Sequence, residues 1–292
     1  MPEAAAETEF ERWLAEMRPR LHRYCARMTG SVIDGEDVVQ DTLAQAYYQL
    51  PELTEMPPLR PWLFRIAHNR AIDHHRRSRY RVAEPLEAAL EIADDPLREP
   101  DNALARGQAV RAALSSFLRL APAQRACVVL MDVLGHSLDE IAAQLELSVP
   151  AVKAALHRGR SALRDGSDAP VDAPAPPVSP ALLRYARLFN AHDWDGVRAL
   201  LADDVRLDLV SRRRLAGREQ VGVYFGNYER AGDWRLVPGW LDRREVLAVS
   251  TAAQATRYFI ELSWSDGRVA TIRDLRYVRY IADEAVFEAA PR

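Results

Sequence analysis

Two short stretches hold side chains able to act on a polyanion. In Arg60–Arg77, the residues Trp62, Arg65, Asn69, Asp73 and Arg76 recur at steps of three or four. On a helix that spacing sets an indole, two guanidiniums, an amide and a carboxylate along one stripe. Stacking on unpaired bases and hydrogen bonding to their edges uses this mixture, with Arg77 beside it for a phosphate. The same spacing also suits a tryptophan packed in a core, so Trp62 has two readings. In Ser148–Arg164 no acidic residue occurs, and Pro150, Ala154 and His157 centre a helix face flanked by Lys153 and Arg158. A small residue such as Ala154 lets a backbone enter a major groove, while flanking cations reach bases or phosphates. Ser148, Lys153, Ala154, His157, Arg158 and Arg160 are therefore candidate contacts to intact duplex. Arg160 and Arg164 read equally as phosphate clamps or as solvated charge.

These side chains need rigid elements beneath them. Phe10, Trp13, Leu14, Met17, Leu21, Tyr24, Cys25 and Met28 predict a helix that stops at Thr29-Gly30. Asp34 is placed to cap a second helix with the apolar stripe Val38, Val39, Leu43, Ala46, Tyr47 and Leu50, ended by Pro51. Ser137-Leu-Asp-Glu140 matches a capping box opening a short helix; Ser148 then caps the next, with Pro150 in its first turn. The second helix has the apolar stripe Val152, Leu156, Gly159 and Leu163, and together the pair forms a helix-turn-helix. Acidic residues Glu84 to Asp101 among prolines read as a linker over 82–103, and the proline-rich run 166–179 as another. Beyond it, two helices broken near Asn190–Asp193, an alternating Val205, Leu207, Leu209 strand and a hairpin about Ser265-Asp-Gly267 predict an α+β domain.

The totals narrow the classes. With 292 residues there is chain for two or three cores, and a formal charge of −3 excludes nonspecific nucleic-acid binding by the whole molecule. Lys153 is the only lysine, so arginine here carries less meaning than usual. Cys25 and Cys127, far apart in apolar patterns, read as reduced core thiols, and neither a metal site nor a cofactor is expected. No apolar run reaches spanning length and the N-terminus has no signal-peptide pattern, which predicts a cytoplasmic protein.

The segment Asp34–Asp41, then Arg60–Asp73, then the helix-turn-helix through Arg160, resembles in order regions 2.2, 2.3–2.4 and 4.2 of extracytoplasmic-function (group IV) sigma-70 factors. The resemblance covers about residues 8–165 and implies a non-enzymatic promoter-specific initiation factor. It would bind core RNA polymerase through the β′ clamp and β flap, with Asp37, Gln40 and Asp41 as the clamp contacts. Trp62, Asn69, Asp73, Arg76 and Arg77 would then serve the melted −10 element, Asp73 by orienting an arginine, and 148–160 the −35 element. The implied organisation is region 2 over 8–81, the acidic linker, region 4 over 104–165, the proline linker, and a regulatory domain over 180–292. That last domain resembles a SnoaL-like member of the NTF2-like superfamily, a sheet wrapped on helices around a cone-shaped cavity. It would modulate activity in cis, through a small-molecule ligand in that cavity or beside an anti-sigma factor. For catalysis only His192, Arg273 and Asp274 are candidates, and the neighbours 273 and 274 point to opposite faces of a strand. A self-sufficient helix-turn-helix regulator leaves Asp34–Asp41 unexplained, and a tethered cyclase or isomerase lacks a convergent catalytic set.

Overall fold

The structure is a computed structural model that describes residues 2–53, 57–81, 113–165, 176–226, 228, 233–251 and 254–291. It forms two compact units, Met1–Pro170 and Val171–Arg292. The acidic linker 82–103 and most of the proline-rich linker lie outside the described residues.

In the first unit, α1 (Pro2–Thr29), α2 (Val32–Gln49) and α3 (Leu59–Arg81) pack on one another. Gly30 ends α1 at φ +76°, a conformation that costs glycine nothing. The cap of α2 differs from expectation: Ser31, not Asp34, is the N-cap, its side chain accepting from the Asp34 N–H at 3.0 Å. The helix therefore starts a turn early and carries Gly35 inside it. There a Cβ would lie 2.6 Å from the Ala26 backbone nitrogen, so glycine is what lets α1 and α2 approach. After a turn of helix at Leu114–Arg119 come α4 (Pro122–Val128), which runs on as a wide turn over Val129–Val133, then α5 (Leu138–Leu145) and α6 (Val149–Asp165). Tyr24, Cys25, Met28 and Phe64 share one apolar core with Phe117, Leu120, Cys127 and Ile141, so the two helical segments are joined by packing. Both cysteines are free and fully buried, and burial pushes the Cys127 thiol up to about 12.

Within this core His68 is hydrogen-bonded through Nδ1 to the Tyr24 hydroxyl at 2.8 Å, and burial pulls its pKa from 6.5 down to about 4. Unfolded, the imidazole takes a proton near pH 6.5; folded, it stays neutral until about pH 4. Between those values the unfolded state binds more protons, so stability falls as pH falls, by up to about 3 kcal/mol at the acid end. His68→Gln, which can keep a hydrogen bond but does not titrate, should flatten the decline seen by urea unfolding between pH 6.5 and 4. An unchanged slope would assign the decline to other groups.

The second unit opens with α7 (Pro180–Asn190) and α8 (Trp194–Ala199). These lead into β1 (Leu201–Leu209), β2 (Arg213–Ala216), α9 (Arg218–Tyr224), β3 (Arg235–Leu241), β4 (Arg244–Thr251), β5 (Gln254–Ser265), β6 (Arg268–Asp274), α10 (Ile281–Glu284) and β7 (Phe287–Ala289). The sheet order is β2-β1-β6-β5-β4-β3-β7, with only β1 and β6 parallel among these neighbours. Helix α7 lies on β3 and β4, and α9 on β1. The expected class, all-α followed by α+β, is what the chain adopts. The last residues before α7 are pinned: the Trp240 indole donates to Pro176 O at 2.8 Å, and Ser179 N and Oγ both donate to Glu245 at 2.6 Å.

Candidate nucleic-acid and partner surfaces

Ser137 and Glu140 form the reciprocal capping box that opens α5, and Glu146 turns the chain at φ +55°. Ser148 Oγ then accepts from the Ala151 N–H at 3.3 Å to start α6. Val152, Ala155, Leu156, Gly159 and Arg160 face the core. A Cβ at position 159 would lie 2.7 Å from Val128 Cγ2, so this glycine fixes how closely α6 sits on α4. That packing leaves Ser148, Lys153 and His157 exposed and Ala154 and Arg158 half-buried. The face presented is small at its centre and positive at its flanks, as duplex recognition requires.

Arg160 does not belong to that face. It is 8% exposed and makes a bidentate bond to Asp132, Nε to Oδ2 at 2.9 Å and an Nη to Oδ1 at 2.6 Å. Its expected role on duplex DNA is corrected to a structural one, because its donors are committed inward.

Along α3 the predicted stripe divides. Trp62 is 5% exposed and packs in the core with Leu63 and Phe64, so the base-stacking reading is corrected: its ring has no face to offer. Asn69, Arg76 and Arg77 are exposed, and Asp73 lies 3.4 Å from Arg76. Arg65 bonds Glu146 at 3.4 Å and Arg60 lies 4.0 Å from Glu140. Two cations of the first basic helix thus face carboxylates of the helix-turn-helix.

On α2, Asp41 is exposed and Asp37 and Gln40 are half-buried. Gln40 donates to Glu36 at 2.6 Å, and the fully buried Glu36 is paired with Arg18 at 3.0 Å. Tyr47, expected in the buried stripe, is instead 44% exposed and meets Phe10 edge-on. Tyr48, which pattern reading passed over, is 70% exposed. It follows Asp37 by eleven residues, about three turns, so it shares that acidic face. The spacing was the signal that could have found it.

In the second unit, Tyr185, Phe189, Leu207, Tyr224, Phe225, Tyr228, Ile260, Ile272 and Asp274 line a cavity of about 10 Å³. That is room for about one water, because aromatic rings fill the space between helices and sheet. Asp274, 1% exposed, accepts from Tyr228 Oη at 2.9 Å, Tyr224 Oη at 3.4 Å and the Arg276 N–H at 2.9 Å. Burial raises its pKa and these donors pull it partly back. Arg273 sits on the other face with Glu261 at 3.7 Å, and His192 is exposed against Trp194, so the three candidates do not converge. Among the described residues no helix is long and apolar enough to cross a membrane.

Residues 13–81 match sigma-70 region 2 and residues 111–163 match sigma-70 region 4. The chain is 34% identical over 204 residues to the ECF RNA polymerase sigma factor SigG of Mycobacterium tuberculosis, covering 61% of this chain and 55% of SigG. It thus spans little more than half of that relative's length. Against SigW of Bacillus subtilis it is 31% identical over 158 residues, covering 50% of this chain and 82% of SigW. The crystal structure of M. tuberculosis SigJ aligns over 91% of this chain and 95% of SigJ, at 20% identity and a TM-score of 0.36. With both regions matched in order and most of SigW covered, the chain belongs to the extracytoplasmic-function family of sigma-70 RNA polymerase sigma factors.

Proposed function

We propose that this chain binds core RNA polymerase and directs initiation at promoters bearing −35 and −10 elements that it reads itself. The observation that carries this is the acid-free, outward face of α6, centred on Ala154 and His157 and set by a capped turn. The −35 contacts are Ser148, Lys153, Ala154, His157 and Arg158; the −10 contacts are Asn69, Arg76 and Arg77, with Asp73 positioning Arg76. Asp37, Gln40 and Asp41, extended by Tyr48, dock on the β′ clamp, where acidic groups flanking an aromatic anchor suit a basic partner. The second unit acts in cis on this activity. It needs no small molecule inside its cavity, which side chains already fill.

Transcription reconstituted from purified core polymerase and a random promoter library tests the reading. Lys153→Glu with Arg158→Glu should weaken promoter binding about 10- to 100-fold per lost contact at fixed salt. Asp37→Arg with Asp41→Arg should reduce core affinity at least about tenfold while leaving the thermal transition in place. Removal of residues 171–292 should change activity or promoter choice. A chain that never co-elutes with core polymerase defeats the proposal, and a truncation without effect removes its cis-regulatory part.

A further inference from the structure

We infer that the α+β unit carries a binding site, outside its cavity, for a small aromatic carboxylate, formed by Trp234, Arg257 and Arg276. The three residues come from the approach to β3, from β5 and from the turn after β6. The Arg257 guanidinium carbon lies 5.4 Å from the Trp234 ring centroid, and that of Arg276 lies 5.3 Å from the same centroid and 5.8 Å from that of Tyr228. Two guanidiniums on one indole repel each other, and each is drawn to the ring face by its quadrupole. Neither has a salt bridge among the described residues; the Arg276 side chain donates to the Tyr224 hydroxyl, and the carboxylate beside them, Asp274, is already occupied by Tyr228, Tyr224 and the Arg276 backbone. Asp233, next in sequence to Trp234, is exposed to solvent.

Trp234 Nε1 and Arg257 Nε are moreover buried with no hydrogen-bond partner among the described residues. Indole and guanidinium nitrogens donate and cannot accept, so what the site lacks is an acceptor. A buried donor left unmatched is costly, and an anion entering here would satisfy both donors while separating two like charges. A planar carboxylate fits the guanidinium fork in plane, and an aromatic body adds stacking on the guanidinium face turned away from Trp234. Trp234, Arg257 and Arg276 are each half-buried, whereas the neighbouring cavity holds no more than about one water. The site depends on none of the polymerase or promoter contacts.

The test uses the full chain and sodium benzoate as probe, read on the Trp234 indole N–H resonance, which Trp234→Phe assigns. Benzoate should shift that resonance saturably, with a Kd of about 1 mM or tighter. Acetate should bind more weakly, chloride at equal ionic strength should not saturate, and the Trp62 indole should not move. Arg257→Gln should weaken benzoate at least about tenfold with the remaining spectrum intact. Arg257→Lys, which keeps the charge and loses the fork, should fold even where glutamine does not, and should bind several-fold more weakly. Absence of a saturable shift, an equal response to chloride, or unchanged affinity in Arg257→Lys would each overturn the site.

Discussion

Asp132→Ala should destabilise the helical unit by about 3–5 kcal/mol, enough to unfold many domains of this size. The carboxylate is 2% exposed and takes both bonds of a bidentate pair from Arg160, itself 8% exposed. Alanine in its place strands a guanidinium in the core, where hydration cannot replace the lost partner. The pair as a whole is a different matter: exchanging both ends for apolar residues of similar volume removes the desolvation cost together with the attraction. Asp132→Leu with Arg160→Met should therefore lie far closer to the parent than Asp132→Ala does. Urea unfolding of the parent, Asp132→Leu, Arg160→Met and the double variant gives the coupling as a double-mutant cycle, with Asp132→Ala measured beside them. The same set decides the part Arg160 plays at the −35 element. If its role is structural, the apolar double variant keeps duplex affinity; a phosphate contact would be lost in it whatever the stability. A cost below about 1 kcal/mol for Asp132→Ala would show that water reaches the pair and replaces the lost carboxylate.

The helix-turn-helix was legible because its determinants are local. The capping box Ser137 to Glu140 spans four residues, and the stripe of Val152, Leu156 and Gly159 repeats with the helix. The hairpin at Asp266-Gly267 was legible for the same reason, since both residues sit at positive φ between β5 and β6. Opposite facing of Arg273 and Asp274 followed from the strand period alone. What failed depends on contacts distant in sequence. Arg160 has the look of a solvated cation until Asp132, twenty-eight residues earlier, is brought beneath it. Trp62 satisfies a base-stacking spacing and a core spacing equally, and only the positions of α1 and α2 choose between them. Asp34 and Ser31 are about equal as caps by residue type, and Gly35 must lie inside the helix to meet Ala26, which moves the start back to Ser31. The filling of the cavity by Tyr185, Phe189, Tyr224 and Tyr228 likewise draws on side chains from α7, from α9 and from the segment after α9, far apart in sequence. In the apolar run from Ala126 to Gly135, the lone Asp132 was the available hint: a single charge among core residues implies a buried partner somewhere.

Arg125→Met should cost about 3–6 kcal/mol and loosen the seam between the N-terminal helices and the helix-turn-helix. Arg125 is 2% exposed and has no carboxylate partner among the described residues; its guanidinium donates to Met28 O in the last turn of α1, to Leu118 O at 3.2 Å and to Leu120 O at 3.0 Å. One cation so gathers three carbonyls, two of them ending the turn before α4 and one closing α1, where the helix dipole favours positive charge. Burial pulls its pKa down to about 10, still well above neutrality, so the charge is present under ordinary conditions. Methionine keeps most of the stem's volume and removes every donor, which leaves three buried acceptors unmatched at about 1–3 kcal/mol each before relaxation. Lysine is no substitute, because one ammonium at the end of a flexible stem cannot reproduce the planar fork. The two cysteines report the outcome directly. Cys25 and Cys127 lie in the shared core with zero exposure and raised thiol pKa values, so a thiol reagent should reach them slowly in the parent chain. In Arg125→Met both should label faster, and at urea concentrations below the main unfolding transition, since opening the seam needs less than unfolding every helix. Labelling that rises only together with global unfolding would mean that apolar packing alone holds the two segments together and that Arg125 merely satisfies its own burial.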